Sequence, residues 1–286
     1  MKILSIFFIF LLSSVQFAQQ VTIEFKSNAN IKRFANYLFC NKDYLRAANE
    51  YERLTGDYIN DTTQFKIALA YSFITDYPNA LDRFSAINNL SVFFYNTQLE
   101  QLKIKFLSTK FDDLRDYYND SFTNVPSQFN SVGKKLFNFS YLFTDDPLPL
   151  KQDFLSPFSE EEILPASNFY DSKKNLQYKD PFFAGILSAI LPGSGKIYTG
   201  EYGDGVVAFL TSAVFSFIAY DNFRAGHNTR GWIWTGVAAM FYAGNVYGSI
   251  ASAQIYNARI NFNFTNGVKL FLEGKNYFVP AYDFCK

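Results

Sequence analysis

Hydrophobic and polar positions divide the chain into five regimes. Ile3 to Leu12 form a nearly unbroken apolar run behind Lys2, followed by smaller, more polar residues up to Ala18. The run is short for a membrane span, so residues 1–18 read as a secretory signal peptide. In the next regime, 19–143, two stretches align without gaps: "YLFCNKDYLRAANEYERL" (37–54) and "AYSFITDYPNALDRFSAI" (70–87). Asp43 falls on Asp76, Tyr44 on Tyr77, Ala47 on Ala80, Tyr51 on Phe84 and Leu54 on Ile87, always 33 residues apart. A period of 33 to 34 with helix, turn and helix is the spacing of stacked helical hairpins. Asp-Tyr marks the turn, the small Ala lets paired helices approach, and the aromatic four residues on fills the groove beside it. A third, eroded copy over 106–120 fits at an offset of 34 with Leu114 in the Ala position, and 131–143 continues the stack.

From 144 to 180 the pattern breaks. Pro147, Pro149, Pro157 and Pro165 predict a connector, with one short helix at 158–164 started by Ser159 and Glu160 to Glu162. After Pro181 polar residues nearly stop. Residues 182–191, 204–220 and 231–253 are apolar, and the last carries no charge in 23 residues. That segment has the length of a membrane helix and the middle one is short but usable, which predicts a two-span membrane hairpin over 181–258. Tyr202, Tyr220, Trp232 and Trp234 sit at the segment ends, as an interfacial belt requires. Gly244, Gly248 and Ser252 form a small-residue stripe for close helix packing, and Asn245 beside them is expected to face a partner helix or the bundle interior. Export of the N-terminal half would place repeats and C-terminus outside and 221–230 in the cytoplasm. Arg224 and Arg230 agree with that orientation, whereas Lys173, Lys174 and Lys179 weigh against it. In the extension 259–286, alternation at Ile260, Phe262 and Phe264 around Thr265-Asn266-Gly267 predicts a small β-hairpin, folded back on the linker or paired with a partner's sheet edge.

Charge and composition narrow the function. Lys plus Arg and Asp plus Glu are equal at 26 each, so no overall field draws nucleic acid. One His and two Cys leave little for metal binding or acid–base catalysis. His227 stands alone in a polar loop, no triad can be assembled, and no cofactor, metal or catalytic residue is assigned. Cys40 and Cys285 can pair in an oxidising compartment, although their spacing does not require it. Gly-Ser-Gly-Lys at 193–196 invites a nucleotide reading, which fails. A phosphate-binding loop needs Gly where Ile190 stands and a hydroxyl residue where Ile197 stands.

The repeat positions Asp43, Tyr44, Ala47, Tyr51 and Asp76, Tyr77, Ala80, Phe84 resemble the tetratricopeptide repeat over about 30–143, with Lys42 and Thr75 replacing the usual glycine before the Asp. Pro192, Gly193, Gly195, Tyr198 and Gly200 resemble the opening motif of the short membrane-hairpin domains called TM2-like. Residues 180–258 as a whole are similar to those of an uncharacterised bacterial envelope group that joins a signal peptide, helical repeats and such a hairpin. The resemblance implies an all-α, non-catalytic membrane protein of the bacterial cell envelope with a periplasmic N-terminal domain. Its implied partners are an envelope protein or peptide on the repeats, membrane lipid, and further copies of itself, with assembly of membrane proteins as a setting. The alternative function is an oligomeric conduit built from the hairpin.

Overall fold

The computed structural model describes residues 27–122, 125–280 and 282–285; the signal peptide expected over 1–18 lies outside them. The described chain is all-helical, with 13 α-helices and no strand among the described residues. It divides into two compact units, one running to Thr144 and taking up Phe278–Lys286, the other spanning Asp145–Tyr277.

The first unit is a stack of antiparallel helix pairs: α1 (Asn28–Cys40) with α2 (Tyr44–Glu52), α3 (Asp61–Phe73) with α4 (Tyr77–Ser85), and α5 (Phe94–Leu107) with α6 (Phe111–Ser121), followed by α7 (Ser127–Ser140). The three pairs turn in the same way. Lys42, Thr75 and Thr109 adopt left-handed backbone at φ 63°, 62° and 57°. After each, the next N–H reaches back five residues: Asp43 to the Leu38 carbonyl, Asp76 to Tyr71 and Lys110 to Lys105, at 2.9, 3.0 and 3.1 Å. This closes the first helix of each pair, a task usually given to glycine. Ala47, Ala80 and Leu114, aligned in the sequence, are fully buried where the paired helices meet, and Tyr51 and Phe84 fill the adjoining core.

The sequence predicts a β-hairpin for the C-terminal extension, and the structure corrects this. Residues 259–274 continue a single long helix, because Asn266-Gly267 lies in a segment whose helical face (Phe264, Val268, Leu272) is buried and burial outweighs a two-residue turn signal. The last residues then join the first unit, where Cys285 is disulfide-bonded to Cys40 across 245 positions of sequence.

In the second unit the proline-rich connector is more helical than its sequence predicts: α8 (Lys151–Leu155) and α9 (Glu160–Lys174). Ser159 and Glu162 form a capping box that starts α9, and Pro165 is carried inside the helix, where Ala166 and Tyr170 pack against the unit. Next come α10 (Pro181–Ile190), the short α11 (Ser194–Tyr198), α12 (Tyr202–Arg224) and the 47-residue α13 (Asn228–Gly274). Of the described helices, α12 alone is long and apolar enough to cross a membrane by length and composition. The 231–253 stretch, expected to be the stronger span, falls short: Asn245 and its glycines and aromatic residues dilute its hydropathy despite the lack of charge. Only 11% of the apolar window of α12 is buried within the protein.

Candidate functional site

In the first unit the first helices of the three pairs carry a continuous inner face, and the chain's own tail lies along it. Running from Phe278 to Cys285, the tail crosses α5, α3 and α1 in reverse chain order. Phe278 meets Phe106 at 5.7 Å between ring centres, and the carbonyl of Val279 accepts a hydrogen bond from Lys103 Nζ at 3.0 Å. Tyr282 packs edge-on to Phe93 at 5.0 Å, and Phe284 lies 6.0 Å from Phe65 and 6.3 Å from Phe39. Lys66 Nζ stands over the Phe284 ring at 4.9 Å and donates to Asn36 Oδ1 at 2.7 Å. Asn36 Oδ1 also accepts from the Tyr51 hydroxyl at 2.6 Å. Ordered aromatic rings, one backbone acceptor and two buried ammonium groups are what recognition of an extended polypeptide uses.

The electrostatics of this face follow from burial. Lys103 and Glu100 are a buried ion pair at 2.7 Å, 3% and 5% exposed. Desolvation raises the Glu100 pKa, while the Lys103 charge and hydrogen bond pull it back down. Desolvation also lowers the pKa of Lys66, and the charge of Lys32 adds to this. Burial raises the Tyr51 pKa. The repeat residues Asp43 and Asp76 lie away from the groove. Asp43 pairs with Arg46, whose hydrogen bond holds its carboxyl below the usual range, and Asp76 accepts the Asn79 N–H at the start of α4. Tyr44 packs on Phe73 at 4.4 Å, and Tyr77 lies half-buried against the core.

In the second unit the Pro192-to-Gly200 motif forms a tight turn pressed between α10, α12 and α13. Gly193, at φ 87°, lies so close to the neighbouring chain that a Cβ would fall 2.0 Å from the Gly205 carbonyl oxygen. A Cβ on Gly195 would fall 2.0 Å from that of Ala184. Gly200, at φ 87°, caps α11 in open space, so its requirement is conformational. Tyr198 accepts the Asp180 N–H at 3.3 Å, meets Phe183 edge-on at 5.4 Å and lies beneath Lys179 Nζ at 4.6 Å.

This turn meets the small-residue stripe of α13 through hydroxyl pairs. Thr199 and Ser252 are 2.6 Å apart, as are Ser188 and Ser249, and Ser188 Oγ accepts the Gly195 N–H at 2.9 Å. Gly248 lies under the Lys196 side chain, while Gly244 opens on empty space. Asn245 is 7% exposed and neither its amide nitrogen nor its oxygen has a partner. The motif glycines were legible from spacing. Ser188, Thr199 and Ser249 were not, because isolated hydroxyl residues in an apolar run carry no periodic signal. The tail was missed as well, although its density of rings before Cys285 is the one trace of its role.

The arrangement defines an all-α protein with a helical-hairpin stack, whose groove is filled by the chain's own C-terminus, and a second helical unit that exposes a long apolar helix. Compared with known proteins, the chain matches no protein-family model, no curated protein and no solved structure.

Proposed function

We propose that the protein is a non-catalytic adaptor anchored in a bacterial envelope membrane, whose helical repeats bind an extended segment of a partner polypeptide. The observation that carries this reading is the tail in the groove. A stack of helices that already holds an aromatic-rich peptide of turns and irregular backbone, with a hydrogen bond to one of its carbonyls, has the chemistry for a partner's peptide. The tail is then a resident ligand that a partner displaces.

Membrane anchoring is supported by exposed apolar surface. Val206, Val207, Leu210, Val214 and Phe217 on α12 and Trp232, Ile233 and Met240 on α13 are each more than half exposed, far beyond the patches water tolerates on a monomer. The Cys40–Cys285 bond supports an oxidising location for the first unit. It also constrains the topology. Both ends of the inserted unit return to one covalently closed body, so the chain between them crosses the membrane an even number of times. With α12 as one crossing, the first half of α13 supplies the other, and 225–227 lies on the far side.

The test is a photo-crosslinking pull-down in mild detergent, comparing the wild type with Cys40→Ser lacking residues 278–286. Crosslinks from α3 and α5 to a heterologous polypeptide that rise when the tail is removed support the adaptor. Crosslinks to the same chain alone, unchanged by the deletion, refute it.

A further inference from the structure

Between α12 and α13 lies a cavity of about 580 Å³ whose wall includes Lys196, Asp204, Val207, Thr211, Asn245 and Phe241. Three observations mark it as a site. Lys196 and Asp204, of opposite charge, both line it, yet no ion pair joins them. The wall holds Asn245, more than nine-tenths buried and unpaired at both amide atoms, a costly arrangement unless something supplies partners. And Gly244, which also lines the cavity, leaves space where any side chain would intrude.

The polarity of the wall is graded along the helices. α12 and α13 run antiparallel, with Phe223 against Trp232 near the connecting loop and Phe215 against Phe241 at 4.6 Å deeper in the pair. At the opposite end the Lys196 chain crosses Gly248, level with Asp204 near the start of α12. One turn inward come Ala208, Gly244 and Asn245, and a further turn inward Thr211, Met240 and Phe241. From Asp204 to Thr211 is about 10 Å of helix rise. The headgroup layer of one leaflet is roughly 5–8 Å thick, so the cavity spans that layer and enters the hydrocarbon.

We propose that the cavity binds one phospholipid whose headgroup carries both a phosphate and a primary ammonium, the chemistry of phosphatidylethanolamine. Lys196 takes the phosphate and Asp204 the ammonium. Thr211 meets the glycerol ester region, with Asn245 buried behind it, and an acyl chain lies along Val207, Met240 and Phe241. A purely anionic lipid would set its phosphate against Asp204 with nothing to neutralise the carboxylate. A quaternary ammonium has no N–H to donate to it. A third helix, about 10 Å across, does not fit between two helices already in ring contact beneath the cavity, whereas a flexible chain does.

The proposal rests on the membrane reading of the second unit. The experiment is native mass spectrometry of the full chain in mild detergent, titrated with an equimolar mixture of phosphatidylethanolamine, phosphatidylcholine and phosphatidylglycerol. The expected result is a single retained phosphatidylethanolamine, preferred by about tenfold, the size of one charge-assisted hydrogen bond. Asp204→Asn, an exposed change that leaves folding intact, brings phosphatidylethanolamine down to the level of phosphatidylcholine, and Lys196→Gln weakens all three lipids. Equal retention of the three by the wild type, or no effect of Asp204→Asn, overturns the site. So does a lipid-free homodimer that Asn245→Leu dissociates, which would give the cavity to a second copy. Carbonate washing of the same membranes separates the two claims. A chain that stays with the membrane but shows no lipid preference refutes the site alone, and a chain released by carbonate refutes the membrane reading itself.

Discussion

Replacing Cys285 with Ser tests how the tail is held. Fixing the backbone of the tail from Phe278 to Cys285 costs roughly 8 kcal/mol at about 1 kcal/mol per residue. Against that stand three rings, Phe278 and Phe284 mostly buried and Tyr282 44% exposed, contributing about 1–1.5 kcal/mol each. Edge-on and tilted ring contacts to Phe39, Phe65, Phe93 and Phe106 add about 2 kcal/mol together. The Lys103 hydrogen bond to Val279 adds about 2 kcal/mol as a charged donor. The two sides cancel to within about 2 kcal/mol, so the covalent tether decides whether the tail stays. In the oxidised chain the tether keeps the tail beside the groove and favours its return. In Cys285→Ser it opens locally, and hydrogen exchange read by mass spectrometry should show protection of 278–285 falling to about 30-fold or less. Helices α3 and α5 should stay far better protected than the tail. Closing a loop of 245 residues also removes denatured-state entropy worth about 5 kcal/mol in the chain-entropy account, so the variant should lose global stability in the first unit too. Protection of the tail above about ten-thousand-fold in Cys285→Ser would refute the balance drawn here and mean that side-chain packing alone holds the groove closed.

Thr75 holds a left-handed φ of 62° with a β-branched side chain, so Thr75→Gly should stabilise the first unit by about 1 kcal/mol, read as slower exchange in α3 and α4; a loss of stability would contradict the strain argument. Gly195→Ala should break this tight turn, costing more than about 3 kcal/mol because its Cβ would enter the Ala184 carbonyl, while Gly203→Ala, with open space around it, should be near neutral; protease resistance of the detergent-purified chain compares them. Lys66 has a folded pKa below its usual 10.5, so between the two values the unfolded chain binds more protons and stability rises with pH through that window. Hydrogen exchange of α1 and α3 at successive pH values should show the rise, and Lys66→Met should flatten it.

How much of this was legible follows a physical pattern. The hairpin stack could be read because Ala47, Ala80, Tyr51 and Phe84 face a core whose period the sequence must keep. The turn motif could be read because Gly193 and Gly195 are fixed by backbone contact that no side chain survives. The connector was misread because Pro165 signals a break, yet the capping box at Ser159 and the burial of Ala166 and Tyr170 hold α9 together around it. The C-terminal hairpin was misread because Asn266-Gly267 is a strong local signal overruled by the buried face of Phe264, Val268 and Leu272. The ranking of the two apolar segments was reversed, since absence of charge weighs less than the polar cost of Asn245 and the low hydropathy of glycine and tryptophan. The tail's docking and the cavity of Asn245, Lys196 and Asp204 depend on residues far apart in sequence, and no spacing rule reaches them.

The disulfide sets a sharper test of topology than hydropathy does. Both described cysteines are consumed in it, and none is free, so a single introduced thiol reports its own side of the membrane. His227 lies in the exposed turn between α12 and α13, and Asp82 lies on the exposed side of α4 in the first unit. If the two ends of the inserted unit emerge on one side and α12 and α13 each cross once, His227→Cys must be shielded from a membrane-impermeant maleimide added to intact spheroplasts. It must become reactive once the membrane is permeabilised, and Asp82→Cys must react from the start. Each crossing needs about 20 residues, and α12 with 23 and α13 with 47 satisfy this without help from the α10 segment. Labelling of both positions in intact spheroplasts would leave no crossing between them. The exposed valines and phenylalanines of α12 would then have to be covered by protein, and the anchor proposed for this chain would be an interface.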